Sequence, residues 1–220
     1  MTEHIAGRDK IAEYFEVLLE KHGDSHLSLD WKSKESQQVR FAVLLEILYF
    51  AEKKENISIL DVGCGIGHLY DFLKETHILD EAKINYSGID ISKKLIDFAK
   101  SKHPGVPFNT LDLIKEKHDK KYDYVLGSGA FSIKMTSLAE HKETIKKMLS
   151  RMFNMCNVGV AVNFLSSAAL YLLPEDRDAE QETFVYFSVE EVLSWVKAIC
   201  TRYIIRHEYH PGDFTVYMLK

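Results

Sequence analysis

The sequence predicts an α/β fold: a doubly wound, mostly parallel sheet of seven strands with an antiparallel last strand. Three observations carry this reading. From residue 57 onward, short β-branched apolar runs alternate with segments of helical period, the pattern of a sheet built by helical crossovers. The first of these runs, Ile57-Ser58-Ile59-Leu60-Asp61-Val62, leads into Gly63, Gly65 and Gly67, which reads as a buried strand turning sharply into a helix. The last two apolar runs, 203–209 and 214–219, are joined by His210-Pro211-Gly212-Asp213, a hairpin signal.

Each element follows in order. Ile11, Tyr14, Phe15, Leu18 and Leu19 recur at helical spacing over 5–21, and Gly23 ends that helix. Ser33, with Ser36 and Gln37, opens a second amphipathic helix expected to run to about Lys53. Both precede the first strand, so 1–55 is expected to form an N-terminal helical cap on a domain spanning 56–220. A helix over 69–76 follows the glycine turn, then a strand over 82–90 ending in Asp90. Ser92 caps a helix closed by His103-Pro104-Gly105, and a third strand over 106–111 ends at Asp112. The fourth strand, 122–126, meets Gly127-Ser128-Gly129-Ala130-Phe131. A helix over 138–156 and a strand over 158–165 come next, then an irregular stretch over 166–186 read as a lid. Ser188 and Glu191 form a capping box for the last helix.

Composition narrows the class. An apolar fraction of 46% over 220 residues fills one full core. The net charge of −5 argues against a nucleic-acid acceptor, which is met by a basic face. Cys64, Cys156 and Cys200 are sparse and unpaired in spacing, which suits a reducing cytoplasm rather than a disulfide framework or a zinc site. The start of the chain is charged and no apolar run approaches the roughly 18 residues of a bilayer span, so a soluble cytoplasmic protein with no membrane partner is expected.

In a sheet of this kind, ligands bind beyond the carboxyl ends of the strands near the switch point. That rule selects 61–67, Asp90, Asp112, 127–131, 163–166 and the loop 207–213. A cavity framed by Trp31, Phe131, Asn163 and His210 is expected there.

Four motifs in order give the chain a family likeness: Leu60-Asp61-Val62-Gly63-Cys64-Gly65-Ile66-Gly67, Tyr86-Ser87-Gly88-Ile89-Asp90-Ile91-Ser92, Asn109-Thr110-Leu111-Asp112-Leu113 and Tyr122-Asp123-Tyr124-Val125-Leu126-Gly127-Ser128-Gly129. In these, and in its closing hairpin, the chain from about residue 57 resembles the class I S-adenosylmethionine-dependent methyltransferases. The resemblance implies S-adenosylmethionine as cofactor and S-adenosylhomocysteine as product. It places Asp61, Gly63, Cys64, Gly65, Gly67 and His68 under the methionine part, Asp90 and Ile91 at the ribose, Asp112 and Leu113 at the adenine, and Gly127 and Ser128 on the methyl side. The stretch 23–41 is similar to the N-terminal lid of a bacterial subgroup, which adds Trp31, Ser36, Gln37 and Arg40, the last suited to a carboxylate. Helix starts and acid caps explain the same residues without a ligand.

Methyl transfer from a sulfonium needs alignment and exclusion of water more than a dedicated catalytic group. A base is required only for an acceptor that enters protonated. The catalytic residue is therefore open, with His207, His210 and Tyr186 as candidates, and Tyr171 and Asp213 in the same loops. No metal is expected, since no histidine pair is completed by a carboxylate or cysteine cluster. The reading is a methyltransferase of a small-molecule acceptor. A protein or nucleic-acid acceptor, a nicotinamide-dependent oxidoreductase and a non-catalytic cofactor-binding protein are its rivals; against the oxidoreductase, the glycines run GxGxG rather than GxGxxG.

Overall fold

The computed structural model describes residues 2–50, 55–134, 136–171 and 183–220. Among them, seven strands form one sheet: β1 (Ser58–Val62), β2 (Asn85–Asp90), β3 (Phe108–Thr110), β4 (Tyr122–Gly127), β5 (Cys156–Leu165), β6 (Arg202–Arg206) and β7 (Asp213–Leu219). Their spatial order is β3-β2-β1-β4-β5-β7-β6. Every pairing is parallel except those of β7, which runs antiparallel to both β5 and β6. The order reverses between β1 and β4, so the switch point lies above the glycine turn. The register sets Asp61 of β1 level with Gly88 and Leu126. Central strands β1 and β4 are buried nearly throughout, as a sheet covered on both faces requires.

The helices are α1 (Thr2–His22), α2 (Lys34–Leu45), α3 (His68–Glu75), α4 (Ile78–Glu81), α5 (Lys93–Lys102), α6 (Leu138–Met155) and α7 (Val189–Ile199). Two core clusters cover the two faces of the sheet. One packs α6 and α7 through Leu149, Met152, Trp195 and Val196; the other packs α2, α3 and α5 through Leu44, Leu69, Leu73 and Ile96. The expected caps form: Ser33 Oγ accepts from Ser36 N–H, Ser92 Oγ from Leu95 N–H and Ser188 Oγ from Glu191 N–H. The second helix is shorter than expected. It stops at Leu45 and tightens into a 3-10 turn, Glu46–Tyr49, because Ile47 and Leu48 turn inward onto the sheet rather than continuing the α stripe. Of the expected lid over 166–186, a 3-10 turn at Ser167–Tyr171 and the stretch 183–186 are described; 172–182 lie outside the described residues. Among the described residues, no helix is long and apolar enough to cross a membrane.

Candidate active site

The carboxyl ends of β1, β2, β3 and β4 open into a groove with about 130 Å3 of free space. Its floor is Val62, Gly63 and Gly65, and its far end holds Asp90, Asp112 and Leu113. Gly65 has φ +55, and a Cβ there would lie 2.7 Å from Leu29 Cδ2. Glycine suits both that left-handed backbone and that approach of the N-terminal segment, since it adds no side chain against the Leu29 tip. The lid side of the groove comes from Ile11 and Phe15 of α1, then Leu29 and Trp31. Leu29 closes a short 3-10 turn, His26–Leu29, capped by Ser25, and Tyr14 donates a 2.7 Å hydrogen bond to Asp30.

Asp90 is held by backbone donors. Gly65 N–H donates to Oδ2 at 3.0 Å and Ser92 N–H to Oδ1 at 2.9 Å. The Ile91 amide also faces this carboxylate, and the lone-pair capacity these amides leave is open to a ligand hydroxyl. Burial pushes this carboxyl up, against the lowering effect of those amides. Asp112 stands at the end of β3 and caps its own turn, Oδ1 accepting from Ile114 N–H at 2.8 Å. Asp61 lies beneath the floor rather than in the groove. It is buried, accepts from Tyr86 OH at 2.6 Å, and burial raises its carboxyl to about 7. Cys64 is buried too; its thiol is pushed well up by burial and by Asp61 and Asp90, so it is a filler against Gly88 and no nucleophile.

A second chamber, with about 280 Å3 of free space, adjoins the first. Phe15, Leu29, Trp31, Gly129 and Ile133 belong to both walls. Trp31 stands at the partition: Gly129 has φ +69, and a Cβ on it would lie 3.0 Å from the indole Cζ2. Gly129 N–H donates to Asn163 Oδ1 at 2.8 Å, and Asn163 Nδ2 reaches Ser128 Oγ at 3.4 Å. This amide pins the loop after β4 to β5. The outer wall carries Phe184, Tyr186, Pro211 and His210.

The structure distributes the predicted residues over three places. Gly63, Gly65, Asp90, Ile91, Asp112, Leu113, Ser128 and Trp31 line the groove. Gly127 ends β4 beneath it, and Gly67 is the left-handed N-cap of α3. Ser36 and Arg40 face the second chamber instead, and Arg40 is not set toward a cofactor carboxylate. Its guanidinium is ion-paired with Asp213, both side chains being 5% exposed or less, and its Cζ stands 4.9 Å from the Trp31 ring centre. Gln37 and His68 line a third, polar cavity, where Gln37 Nε2 contacts His68 Nδ1 at 3.1 Å and His68 Nε2 lies 3.3 Å from Asp24. Burial and Lys102 lower the His68 pKa. Asp24, His68 and Asp71 cluster there as metal-type ligands, but the Lys102 ammonium already bridges the two carboxylates at 2.5 and 2.7 Å.

Among the catalytic candidates, His210 and Tyr186 line the second chamber. His207 is exposed with its ring edge on Phe214, and Tyr171 is 84% exposed. Phe131 is fully buried, stacked on Phe164, and forms no part of the cavity. Sequence reasoning missed Ile11, Phe15 and Leu29 as walls and Ile133 and Phe184 as chamber residues. The bridge between Ile133 and Phe184 joins segments far apart in sequence, and no local signal announces it. Periodicity marked Ile11 and Phe15 as apolar, though not which partner they cover.

Comparison with known proteins agrees with this geometry. Residues 60–160 match the model of a family described as "Methyltransferase domain". The malonyl-[acyl-carrier protein] O-methyltransferase of Acetivibrio thermocellus is 33% identical over 82 residues, 36% of this chain and 28% of that protein. The chain spans less than half the length of the curated relatives it matches. Magnesium protoporphyrin IX methyltransferase from Synechocystis PCC 6803 superposes with a TM-score of 0.65 at 15% identity, covering 97% of this chain and 99% of that one. The plantazolicin methyltransferase BpumL gives 0.66 at 16%, with the same coverages. With β3-β2-β1-β4-β5-β7-β6 order, an antiparallel β7 and a glycine turn at the switch point, the chain carries the fold of these methyltransferases, and its residues 60–160 match the methyltransferase-domain model.

Proposed function

We propose that this chain is an S-adenosylmethionine-dependent methyltransferase acting on a small-molecule acceptor. The observation that carries the reading is the pair of chambers meeting at Trp31, Gly129 and Ile133. The groove suits an adenosyl cofactor: Asp90 offers lone pairs to ribose hydroxyls, Ile91, Leu113 and Leu95 offer apolar faces to a purine, and Gly63 and Gly65 leave backbone room for the methionine part. The bound cofactor supplies an electrophilic methyl on a sulfonium. The protein's part is to align the acceptor from the second chamber and keep water out. The N-terminal segment, through Ile11, Phe15, Leu29 and Trp31, serves as a lid over the groove whose floor is Val62, Gly63 and Gly65. Two of these neighbours support the cofactor, since both were crystallised with S-adenosylhomocysteine, BpumL also with a triazolic desmethylPZN analogue.

The chamber's walls, with Trp31, Phe184, Tyr186, Leu165 and Pro211, favour a compact, largely apolar acceptor over a nucleic acid. The three cysteines are free and buried, which suits work in a reducing cytoplasm. The test is release of S-adenosylhomocysteine when the protein is given S-adenosylmethionine and pooled small molecules. Release with a pool and none with protein or RNA acceptors supports the reading; binding of the cofactor without turnover on any pool favours a non-catalytic role.

A further inference from the structure

His210 lines the second chamber, its side chain 32% exposed. Its Nδ1 is turned into the hairpin, where Gly212 N–H donates to it at 3.0 Å. Arg40 Nη2, on a guanidinium that has no lone pair to offer, stands 3.3 Å from the same nitrogen. A nitrogen that accepts keeps its lone pair, so the neutral ring carries its proton on Nε2. Asp213 Oδ2 also lies 2.9 Å from Nδ1 and is ion-paired with Arg40. That carboxylate favours a second proton on Nδ1, never the loss of the one on Nε2. Nε2 is therefore a donor in both charge states of the ring, and it meets no hydrogen-bond partner among the described residues.

The carboxylates and the amide on the chamber's described walls are already engaged. Asp213 is buried against Arg40, Asp30 Oδ2 accepts from Tyr14 OH at 2.7 Å, and Asn163 Oδ1 accepts from Gly129 N–H at 2.8 Å. The cluster has donors to spare: Arg40 Nε is buried without a hydrogen-bond partner among the described residues, and Lys32 stands on the same wall. Burial and Arg40 lower the imidazole's pKa against the effect of Asp213, so the ring is neutral at pH 7.

We propose that the second chamber takes a carboxylate acceptor, which His210 binds through Nε2–H and which leaves as its methyl ester. The proposal rests on the methyltransferase reading above. An alcohol, a phenol or an amine enters protonated and needs a base, a part His210 cannot play with Nε2 protonated. A carboxylate is ionised at neutral pH and needs none. The step balances without a proton. One carboxylate oxygen bonds to the methyl carbon, the carbon–sulfur bond breaks with its electron pair returning to sulfur, and the acceptor's negative charge cancels the sulfonium's positive one. The charge-assisted bond from Nε2–H goes to the other oxygen and fixes the carboxylate's orientation. Ile133, Leu165 and Phe184 of the same chamber face the acceptor's apolar body.

The test uses the full chain loaded with S-adenosylhomocysteine and labelled with 15N-histidine, the His210 signals being assigned by their loss in His210→Phe. At pH 7 the wild-type ring is expected in its Nε2–H form; a ring protonated on Nδ1 alone overturns the proposal. Benzoate, phenylacetate and octanoate are then titrated in, each against its matched alcohol. Saturable binding of a carboxylate with a shift of the His210 Nε2 signal, and none by the matched alcohol, is the expected result. His210→Phe is expected to weaken that binding by about 10-fold or more. His210→Gln, whose amide N–H can stand in for Nε2–H, is expected to recover most of it. With S-adenosylmethionine in place of the product, the bound acid is expected to appear as its methyl ester. No binding by any of these carboxylates, equal binding by the alcohols, undiminished binding in His210→Phe, or methylation of an alcohol and no acid overturns the proposal. Failure to bind S-adenosylhomocysteine instead refutes the underlying function, and the same titrations of the free protein then decide the chamber's selectivity by themselves.

Discussion

Trp31 and Gly129 touch at the partition between the two chambers, so closely that a Cβ on the glycine would lie 3.0 Å from the indole. In the proposed function the methyl group crosses where this pair stands, since Trp31 belongs to both walls. The chain has two tryptophans, and the other, Trp195, is packed in the core against Phe187. In Trp195→Phe the remaining emission comes from Trp31. Adding S-adenosylmethionine is expected to shift or quench it, and Trp31→Phe is expected to abolish the response. An unchanged spectrum on saturation would place the cofactor away from this wall.

Asp90 is the acid on which ribose binding depends in this account. Asp90→Ala removes a charged acceptor from the wall of the groove. Affinity for S-adenosylmethionine is expected to fall by about 1–3 kcal/mol, measured by titration calorimetry. Because Gly65 N–H and Ser92 N–H also lose their partner, the melting temperature of the free protein should be recorded beside it. A drop in stability with unchanged affinity would assign Asp90 to the turn alone.

Much of this arrangement is legible in the sequence. Periodicity locates the central strands because β1, β4 and β7 are buried on both faces, and Ser33, Ser92 and Ser188 mark helix starts by the chemistry of an open N-terminus. The glycines and the acids at 90 and 112 pointed to the groove because a close approach and a strand-end carboxylate are local demands. Arg40 was different. Its partner, Asp213, lies 173 positions away, so the ion pair that turns it into the second chamber is a tertiary fact that no local pattern encodes. His207 and His210 read alike in sequence. The hairpin turn alone separates them, sending one to solvent and the other to the chamber wall.

The same ion pair yields a stability prediction. Arg40→Met leaves the buried Asp213 carboxylate without its partner, and removing one half of such a pair costs about 3–5 kcal/mol. Denaturant melts should show that loss. The double variant Arg40→Met with Asp213→Asn is expected to recover a large part of it. Additive losses would show that the two side chains act independently.

Asp61 gives the fold a pH dependence of definite sign. The unfolded chain releases this proton near pH 4, whereas burial holds it up to about 7 in the folded protein. The folded state therefore binds the proton more tightly. Its contribution to stability is complete below about pH 4 and is lost as the pH rises toward 7. Asp90, also raised by burial, acts in the same direction. Asp61→Asn keeps an acceptor for Tyr86 without the ionisation. It is expected to raise the melting temperature at pH 8 relative to wild type by more than it does at pH 5. An equal effect at both would show that Asp61 is ionised in the fold.

The most direct test of the central claim is calorimetric titration of the protein with S-adenosylmethionine and, separately, with NAD. Saturable binding of S-adenosylmethionine and of S-adenosylhomocysteine at a single site, with no heat from NAD, is the predicted result. Binding of NAD, or of neither nucleotide, would contradict it.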